Sequence, residues 1–340
     1  MTKNVYSRMN IAITNVCNQK CAYCFEGNWK RQKPLQFISL DNFDRLLRWR
    51  DWSTGRIPIL SLYGGEPTLH PQLSDIVNMT RAYNPKISIR LYTNLVCEND
   101  IIQEMIFKEV QIVPNVDQFE KDNNTYNTPL IIKNLDYLNS LPPNNKYNIT
   151  VTVSHPQKDF TFLYEILERG KDHISNLKVT HSSPGSEFKN KFQKELNYDT
   201  YAKVLEVVTR CKEISPSLTF ASGCPVNYCL ISDQLLNQLE KLGYRFMRFC
   251  GEFGPNADIL PDLSCHRCFA FQYNPEMSIK NVLEYPNYDS MIEALESKKL
   301  AFQHKYPMMC DKGKCNYANC EGLCPALNYY QYSQEAKMKR

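Results

Sequence analysis

The sequence predicts an α/β protein with a partial (β/α)6 barrel followed by a cysteine-rich segment, and two observations lead to this prediction. From about residue 9 to residue 184, apolar runs rich in β-forming residues alternate with stretches of helical periodicity. Such alternation implies parallel strands, because parallel neighbours need crossover connections. Beyond residue 184 the alternation ends, and most of the cysteines follow.

The predicted strands number six, which is too few for a closed eight-stranded barrel and fits an open, TIM-like one. Between strands, residues such as Leu40, Phe43 and Leu47 recur at helical spacing. Functional side chains of parallel barrels gather at the carboxyl ends of the strands, so we expect them there. The strands are expected at Asn10–Thr14, Ile57–Tyr63, Ile87–Tyr92, Val110–Asn115, Tyr147–Ser154 and Leu177–His181.

Composition limits the functional classes. The 340-residue chain has a net charge of only +4 and no Lys/Arg run, so nothing indicates a nucleic-acid partner. Its amino terminus lacks the apolar core of a signal peptide, and no apolar stretch is long enough for a membrane span, so we expect a cytoplasmic protein. In that reducing compartment, fourteen cysteines favour metal binding over disulfides.

The first motif is a cysteine loop directly after the first predicted strand. Cys17, Cys21 and Cys24 have the spacing Cys-x3-Cys-x2-Cys, which lets three thiols converge on one small metal cluster. Iron–sulfur clusters are normally held by four thiolates, so a compact set of three either takes a fourth ligand from a distant part of the chain or leaves one iron open to a substrate or cofactor. An open metal position is typical of a catalytic site rather than a structural one.

Polar motifs follow the next strands. Gly64, Gly65 and Glu66 end the second strand, where glycines allow close backbone approach and the carboxylate can meet an ammonium group. Taken alone, this stretch also suits an ordinary turn. Thr93 and Asn94 end the third strand. Asn115 and Ser154 close the fourth and fifth strands, where a loop-capping role is the alternative.

The cysteine loop resembles the cluster motif of the radical S-adenosylmethionine (radical SAM) enzymes. In that family the open iron of a 4Fe-4S cluster chelates S-adenosylmethionine, and the reduced cluster cleaves it to a 5′-deoxyadenosyl radical that removes hydrogen from substrate. The resemblance implies an electron donor such as flavodoxin or ferredoxin. It also implies adenine contact for Tyr23, amino-group binding for Gly64, Gly65 and Glu66, ribose or carboxylate contacts for Thr93 and Asn94, and ribose contacts for Asn115 and Ser154. Leu95 stands where the family's Thr-Asn-Gly has its glycine.

The last 125 residues, 216–340, are expected to form an auxiliary domain beside a barrel domain of residues 1–215. Nine of the fourteen cysteines lie in this segment, and their pattern resembles the SPASM or twitch extension, which binds one or two auxiliary 4Fe-4S clusters. Two departures are Leu263 after Pro-Asp, where the family has Gly, and the absence of a cysteine past Cys324. The candidate ligands are Cys224, Cys229, Cys250, Cys265, Cys268, Cys310, Cys315, Cys320 and Cys324.

Eight thiols suffice for two clusters, so one of the nine is spare, and Cys265 and Cys268 compete for that place. Cys224 and Cys229 are the candidates for ligands supplied from upstream. Structural zinc is the alternative for the late array, because zinc sites use similar spacings.

The class of chemistry is clearer than the substrate. The resemblance favours hydrogen abstraction from a ribosomally made peptide, leading to a crosslink, an oxidation or an epimerisation. For epimerisation, Cys224 or Cys229 is the candidate hydrogen-atom donor. The alternatives are oxidation or rearrangement of a small molecule, and a non-catalytic zinc or electron-transfer protein.

Overall fold

The computed structural model describes residues 8–19, 21, 24, 34–53, 58–116, 128–153, 159–181, 198–225, 231–247, 257–271, 274–306, 325 and 329. Within these ranges strands and helices alternate from the first strand to the eighth. The strands are β1 (Arg8–Thr14), β2 (Ile59–Gly64), β3 (Ser88–Thr93), β4 (Gln111–Pro114), β5 (Tyr147–Val153), β6 (Ile174–His181), β7 (Thr219–Pro225), β8 (Tyr244–Met247), β9 (Asp258–Ile259), β10 (Cys265–His266) and β11 (Ser278–Ile279). The helices are α1 (Leu40–Trp49), α2 (Leu73–Tyr83), α3 (Asn99–Phe107), α4 (Thr128–Ser140), α5 (Thr161–Gly170), α6 (Tyr198–Ile214), α7 (Asp233–Lys241) and α8 (Tyr288–Lys305).

The strands β1 to β4 pair in chain order, as do β5 to β8, and all of these pairs are parallel. A parallel bridge between Asn115 and Thr150 brings the two sheets together beside β4 and β5. The predicted α/β partial barrel is confirmed, and its first six strands lie within a few residues of the expected places. The strands β7 and β8 extend the parallel series, which the sequence analysis did not predict.

The other edge of β1 is covered by a small β-meander from the cysteine-rich segment. Strand β9 pairs with β1 in parallel, and β10 and β11 follow in antiparallel order. The expected boundary at residue 215/216 falls between α6 and β7, so strands of the second segment extend the barrel sheet at both edges. The division into two domains stays a prediction.

The two faces of the sheet differ in chemistry. Side chains such as Ile11, Leu62 and Leu91 point toward the helices and are fully buried in one hydrophobic core with Phe43 and Leu47 of α1. The opposite face, called the inner wall below, is polar and partly exposed. It includes Asn10, Tyr63, Arg90, Tyr92, Gln111, Asn115, Asn148, Thr150 and Lys178.

Helix ends follow local sequence. Ser39 caps α1 by accepting a hydrogen bond from the Asn42 backbone, and Ser232 caps α7 by accepting one from Leu235. Among the helices that the structure describes, none is both long and apolar enough to cross a membrane.

Candidate functional site

The three loop cysteines follow β1 and remain partly exposed. Cys17, Cys21 and Cys24 are each half-buried, and the Cys24 N–H donates to the Cys21 carbonyl at 3.0 Å. By contrast, Cys97 and Cys211 are buried core thiols, and burial raises the pKa of each to about 12. The loop thiols are therefore accessible to a metal in a way that the core thiols are not.

Tyr23, the predicted adenine contact, lies outside the described residues. Across the described ranges, no three Cys, His, Asp or Glu side chains lie close enough together to hold a metal ion. The convergence of the three loop thiols on one cluster therefore stays a prediction.

Residues 34–38 fix the start of the loop against β1. The Thr14 hydroxyl donates to the Gln36 carbonyl at 2.9 Å, and the Gln36 N–H donates to the Asn15 side-chain oxygen at 2.7 Å. The Asn15 side-chain amide donates to the Pro34 carbonyl at 3.1 Å. These bonds satisfy the polar groups of a buried turn, so the chain leaves β1 in one defined direction.

The glycine pair at the end of β2 packs directly on the backbone where β1 ends and the cysteine loop begins. The Gly65 N–H donates to the Thr14 carbonyl at 2.9 Å, and the Glu66 N–H donates to the Val16 carbonyl at 2.7 Å. A β-carbon on Gly64 would lie 2.0 Å from the Thr14 oxygen, and one on Gly65 would lie 2.0 Å from the Val16 oxygen. Both positions therefore require glycine because the two backbones touch, and Gly64 also has a φ of +147°.

Glu66 is a buried carboxylate held by four donors. Its Oε1 accepts from the Thr68 N–H at 3.1 Å, the Thr68 hydroxyl at 2.7 Å and the Thr93 hydroxyl at 2.7 Å. Its Oε2 accepts from the Asn94 N–H at 2.8 Å. Burial raises the pKa of Glu66, and these hydrogen bonds oppose that rise. The network fixes the carboxylate at the carboxyl ends of β2 and β3 with acceptor capacity remaining on Oε2.

Asn94 joins this network to the cysteine loop. Its side-chain amide donates to the Asn18 side-chain oxygen at 3.0 Å, and the Asn18 amide donates to the Val96 carbonyl at 2.6 Å. The next residue, Leu95, has a φ of +61° and a fully buried side chain. The backbone therefore keeps the left-handed turn that the family's glycine would supply, and leucine occupies it at a conformational cost.

Gln19 lies between two cluster-motif cysteines and is almost completely buried, with 5% of its surface exposed. Its Oε1 is 3.8 Å from the Cys21 sulfur, which donates to it. Its Nε2 is inaccessible to solvent, and no hydrogen-bond partner for it lies within the described chain. A buried N–H donor without a partner, on a side chain that contacts the Cys21 thiol, fits an electron-rich iron–thiolate cluster at this place.

Sequence reasoning missed Asn18, Gln19 and Thr68. Asn18 and Gln19 occupy positions that the Cys-x3-Cys-x2-Cys pattern does not specify, so the cysteine spacing assigns them no role. Their partners lie in other loops, and Asn94 is 76 residues from Asn18 along the chain. Asn115 lies where predicted, and its N–H donates to the Thr93 carbonyl at 2.8 Å, whereas Ser154 lies outside the described residues.

The structure describes three of the nine auxiliary-cluster candidates. Cys265 of β10 is in register with Ile259 and Ile279, faces the hydrophobic core and has no exposed surface. Cys268 and Cys224 are half-buried. Six candidates lie outside the described residues: Cys229, Cys250, Cys310, Cys315, Cys320 and Cys324.

The hairpin between β9 and β10 shows a second leucine at a glycine position. Leu263 has a φ of +65°, and its N–H donates to the Leu260 carbonyl at 2.9 Å, closing the turn. The turn at Pro261 and Asp262 is thus formed with leucine at the position where the resemblance leads us to expect glycine.

Part of the amino-acid sequence matches a known protein family. Residues 11–151 match the Radical SAM superfamily. A 91-residue segment is 32% identical to GTP 3′,8-cyclase of Actinobacillus pleuropneumoniae serotype 3 (strain JL03), covering 26% of this chain and 26% of that protein. The matched segment thus spans about a quarter of the length of this curated relative.

Solved structures share the fold over almost the whole chain. The structure of anSMEcpe with bound AdoMet and Cp18Cys peptide superposes with a TM-score of 0.67 at 18% identity, covering 96% of this chain and 94% of that one. Streptococcus suis SuiB bound to the precursor peptide SuiA has a TM-score of 0.63 at 17% identity, covering 95% of this chain and 70% of that one. At these identities the likeness establishes the fold.

Proposed function

Because residues 11–151 match the Radical SAM superfamily, we propose that this enzyme cleaves S-adenosylmethionine and abstracts a hydrogen atom from a peptide substrate. The observation that supports cleavage of S-adenosylmethionine is the packing of the Gly64-Gly65-Glu66 stretch at the start of the cysteine loop. Two hydrogen bonds and two glycine contacts join the residues predicted to bind the cofactor to the backbone of Thr14 and Val16, directly before the first predicted cluster ligand, Cys17.

The three loop cysteines, Glu66 and Thr93 have proposed roles in this site. Cys17, Cys21 and Cys24 would hold a 4Fe-4S cluster, which together with S-adenosylmethionine supplies the radical chemistry when bound. Glu66 would accept a hydrogen bond from the cofactor's amino group on its Oε2. Thr93, which donates to the same carboxylate, would keep that acceptor in place.

The inner wall supports a substrate rich in hydrogen-bonding groups. Arg90 donates to the Gln111 side chain at 2.9 Å, and Asn148, Thr150 and Lys178 present further polar groups on the same face. A peptide carries a donor and an acceptor at nearly every residue, which such a wall can satisfy. The peptides bound in the anSMEcpe and SuiB structures are consistent with a ribosomally made peptide substrate here.

Auxiliary 4Fe-4S clusters are part of the proposal. Formation of a crosslink or double bond removes two electrons from the substrate, and an auxiliary cluster in the cysteine-rich segment would accept the second. Cys268 and Cys224 are half-buried, as cluster ligands near a protein surface would be. An electron donor such as flavodoxin or ferredoxin would reduce the first cluster.

A small-molecule substrate is the second candidate function. The 91-residue identity with a GTP 3′,8-cyclase favours it, because that relative is named for chemistry on a nucleotide. The matched segment covers 26% of the chain, so it supports the shared cofactor chemistry more directly than a shared substrate.

The decisive experiment measures 5′-deoxyadenosine release by anaerobically reconstituted protein, with dithionite as reductant. Wild type is expected to release it and to bind about four irons more than a Cys17/Cys21/Cys24→Ala variant. Cys24→Ala is expected to abolish release, whereas Cys97→Ala, which alters a core thiol, is expected to retain it. Release by Cys24→Ala would contradict the site assignment.

The substrate class is tested by the same assay with two additions. A short peptide encoded beside the gene is expected to accelerate 5′-deoxyadenosine release and to change mass, and GTP is expected to do neither. Conversion of GTP without conversion of the peptide would favour the small-molecule function.

A further inference from the structure

Gln19 is a buried polar residue that the proposed function leaves without a role. Its side chain lies beside Cys21, with Oε1 as the acceptor of the thiol proton at 3.8 Å and Nε2 buried without a partner in the described chain. Leaving a buried amide N–H unsatisfied costs the free energy of its lost contact with water, so its retention calls for a partner in the functional state.

Metal coordination changes the chemistry of this contact. A cysteine that binds iron is a thiolate and has no proton to donate, so the Gln19 oxygen and the Cys21 sulfur would then be two acceptors facing each other. A half-turn of the amide about its last bond exchanges oxygen and nitrogen with little change of shape. The amide would then donate from Nε2 to the sulfur, which gives the buried N–H a partner and removes the contact between two acceptors.

We infer that Gln19 is a positioning residue of the first cluster: its side-chain amide donates a hydrogen bond to the Cys21 thiolate or an adjacent cluster sulfide. This inference rests on the proposed function, because it requires the cluster in that loop. It goes further by assigning the residue that adjusts how readily the cluster is reduced.

The direction of the effect follows from charge. Reduction adds an electron to the cluster, and a hydrogen bond to a sulfur ligand stabilises the more negative state. Loss of the bond therefore makes the cluster harder to reduce. A net contribution of about 0.5–1.5 kcal/mol corresponds to about a twofold to tenfold change in the ratio of reduced to oxidised cluster.

The test compares Gln19→Leu and Gln19→Glu with wild type in the reconstituted full chain. Leucine keeps much of the volume and removes the donor, whereas glutamate keeps the shape and replaces the donor with an acceptor. The midpoint potential is read from the paramagnetic resonance signal that changes when S-adenosylmethionine is added, which separates this cluster from auxiliary clusters. The exposed Gln72→Leu, at the start of α2, is the control.

Both Gln19 variants are expected to retain about four irons in this cluster and to have a more negative potential, with no shift for Gln72→Leu. A tenfold change would appear as about 59 mV for this one-electron couple. Potentials equal to wild type in both Gln19 variants would overturn the inference. Failure of wild type to show a signal sensitive to S-adenosylmethionine would instead overturn the proposed function.

A second measurement does not depend on the variants' ability to hold the cluster. Wild-type protein labelled with nitrogen-15 in glutamine side chains is expected to show a nitrogen-15 coupling in the pulsed resonance spectrum of the reduced cluster. Absence of that coupling would also overturn the inference.

Discussion

The α-carbon of Gly65 approaches the carbonyl oxygen of Val16 so closely that a β-carbon would stand 2.0 Å from that oxygen. The contact joins the end of β2 to the cysteine loop through backbone atoms alone. This contact between the two loops is therefore possible only because Gly65 has no side chain.

Gly65→Ala is expected to push the two loops apart. Overpacking of this kind costs about 1–3 kcal/mol in the free energy of unfolding, and the displaced loop should bind less iron. Urea unfolding and iron analysis measure the two effects. Gly243→Ala is the control, since Gly243 has a φ of +80° and open space around it, so it should lose stability and retain iron. Normal iron content in Gly65→Ala would show that the contact does not position the loop.

Leu95→Gly is expected to destabilise the fold by about 1–3 kcal/mol. Glycine relieves the strain of a φ of +61°, worth about 1–2 kcal/mol, but loses a fully buried side chain whose removal costs about 2–5 kcal/mol. Glu109→Gly is the matched control, because Glu109 has a φ of +57° and an exposed side chain. That variant should be destabilised less, or stabilised. A more stable Leu95→Gly protein would mean that strain outweighs burial at the turn.

Cys265 and Cys268 are expected to respond differently to replacement by alanine. Cys265 has no exposed surface and lies in a hydrophobic core, so Cys265→Ala should lower stability and leave the iron content unchanged. Cys268→Ala should lower the content by up to about four irons, one cluster, if Cys268 is the auxiliary ligand of this hairpin. The reverse pattern would make Cys265 the ligand and Cys268 the spare thiol.

The raised pKa of Asp258 leads us to expect that the free energy of unfolding falls as the pH rises from about 4 to about 6. Burial raises the pKa of this carboxyl from 3.8 to about 6, while hydrogen bonds from Tyr63 and Asn10 and the charges of Arg267 and Lys178 oppose the rise. The native state therefore holds the proton more tightly than the unfolded state. Stability from this group is present at low pH and is lost as the pH rises through the native value, by at most about 3 kcal/mol.

Asp258→Asn should remove this pH dependence, because the amide resembles the protonated carboxyl. Urea unfolding at pH 5 and pH 7.5 compares the variant with wild type, and the variant should gain most at the higher pH. An equal difference between the two proteins at both pH values would contradict a raised pKa at Asp258.

The sequence alone determined the class of this protein. The alternation of apolar runs and helical stretches predicted the parallel α/β barrel, because parallel strands leave a repeating pattern in the chain. The spacing of Cys17, Cys21 and Cys24 predicted one shared metal site, because residues within one short loop are close whatever the rest of the chain does. Radical SAM chemistry was what the resemblance of this loop and of the Gly64-Gly65-Glu66 stretch to that family implied.

Contacts between distant residues were decided only by the tertiary structure. The pairing of β9 with β1, the hydrogen bond between Asn18 and Asn94, and the burial of Cys265 leave no periodic signal, because each joins segments far apart in the chain. The same holds for the glycine pair, whose close approach was predicted but whose neighbour, the backbone of the cysteine loop, was not. Sequence patterns record the local constraints on a chain, and packing between loops is set by the whole fold.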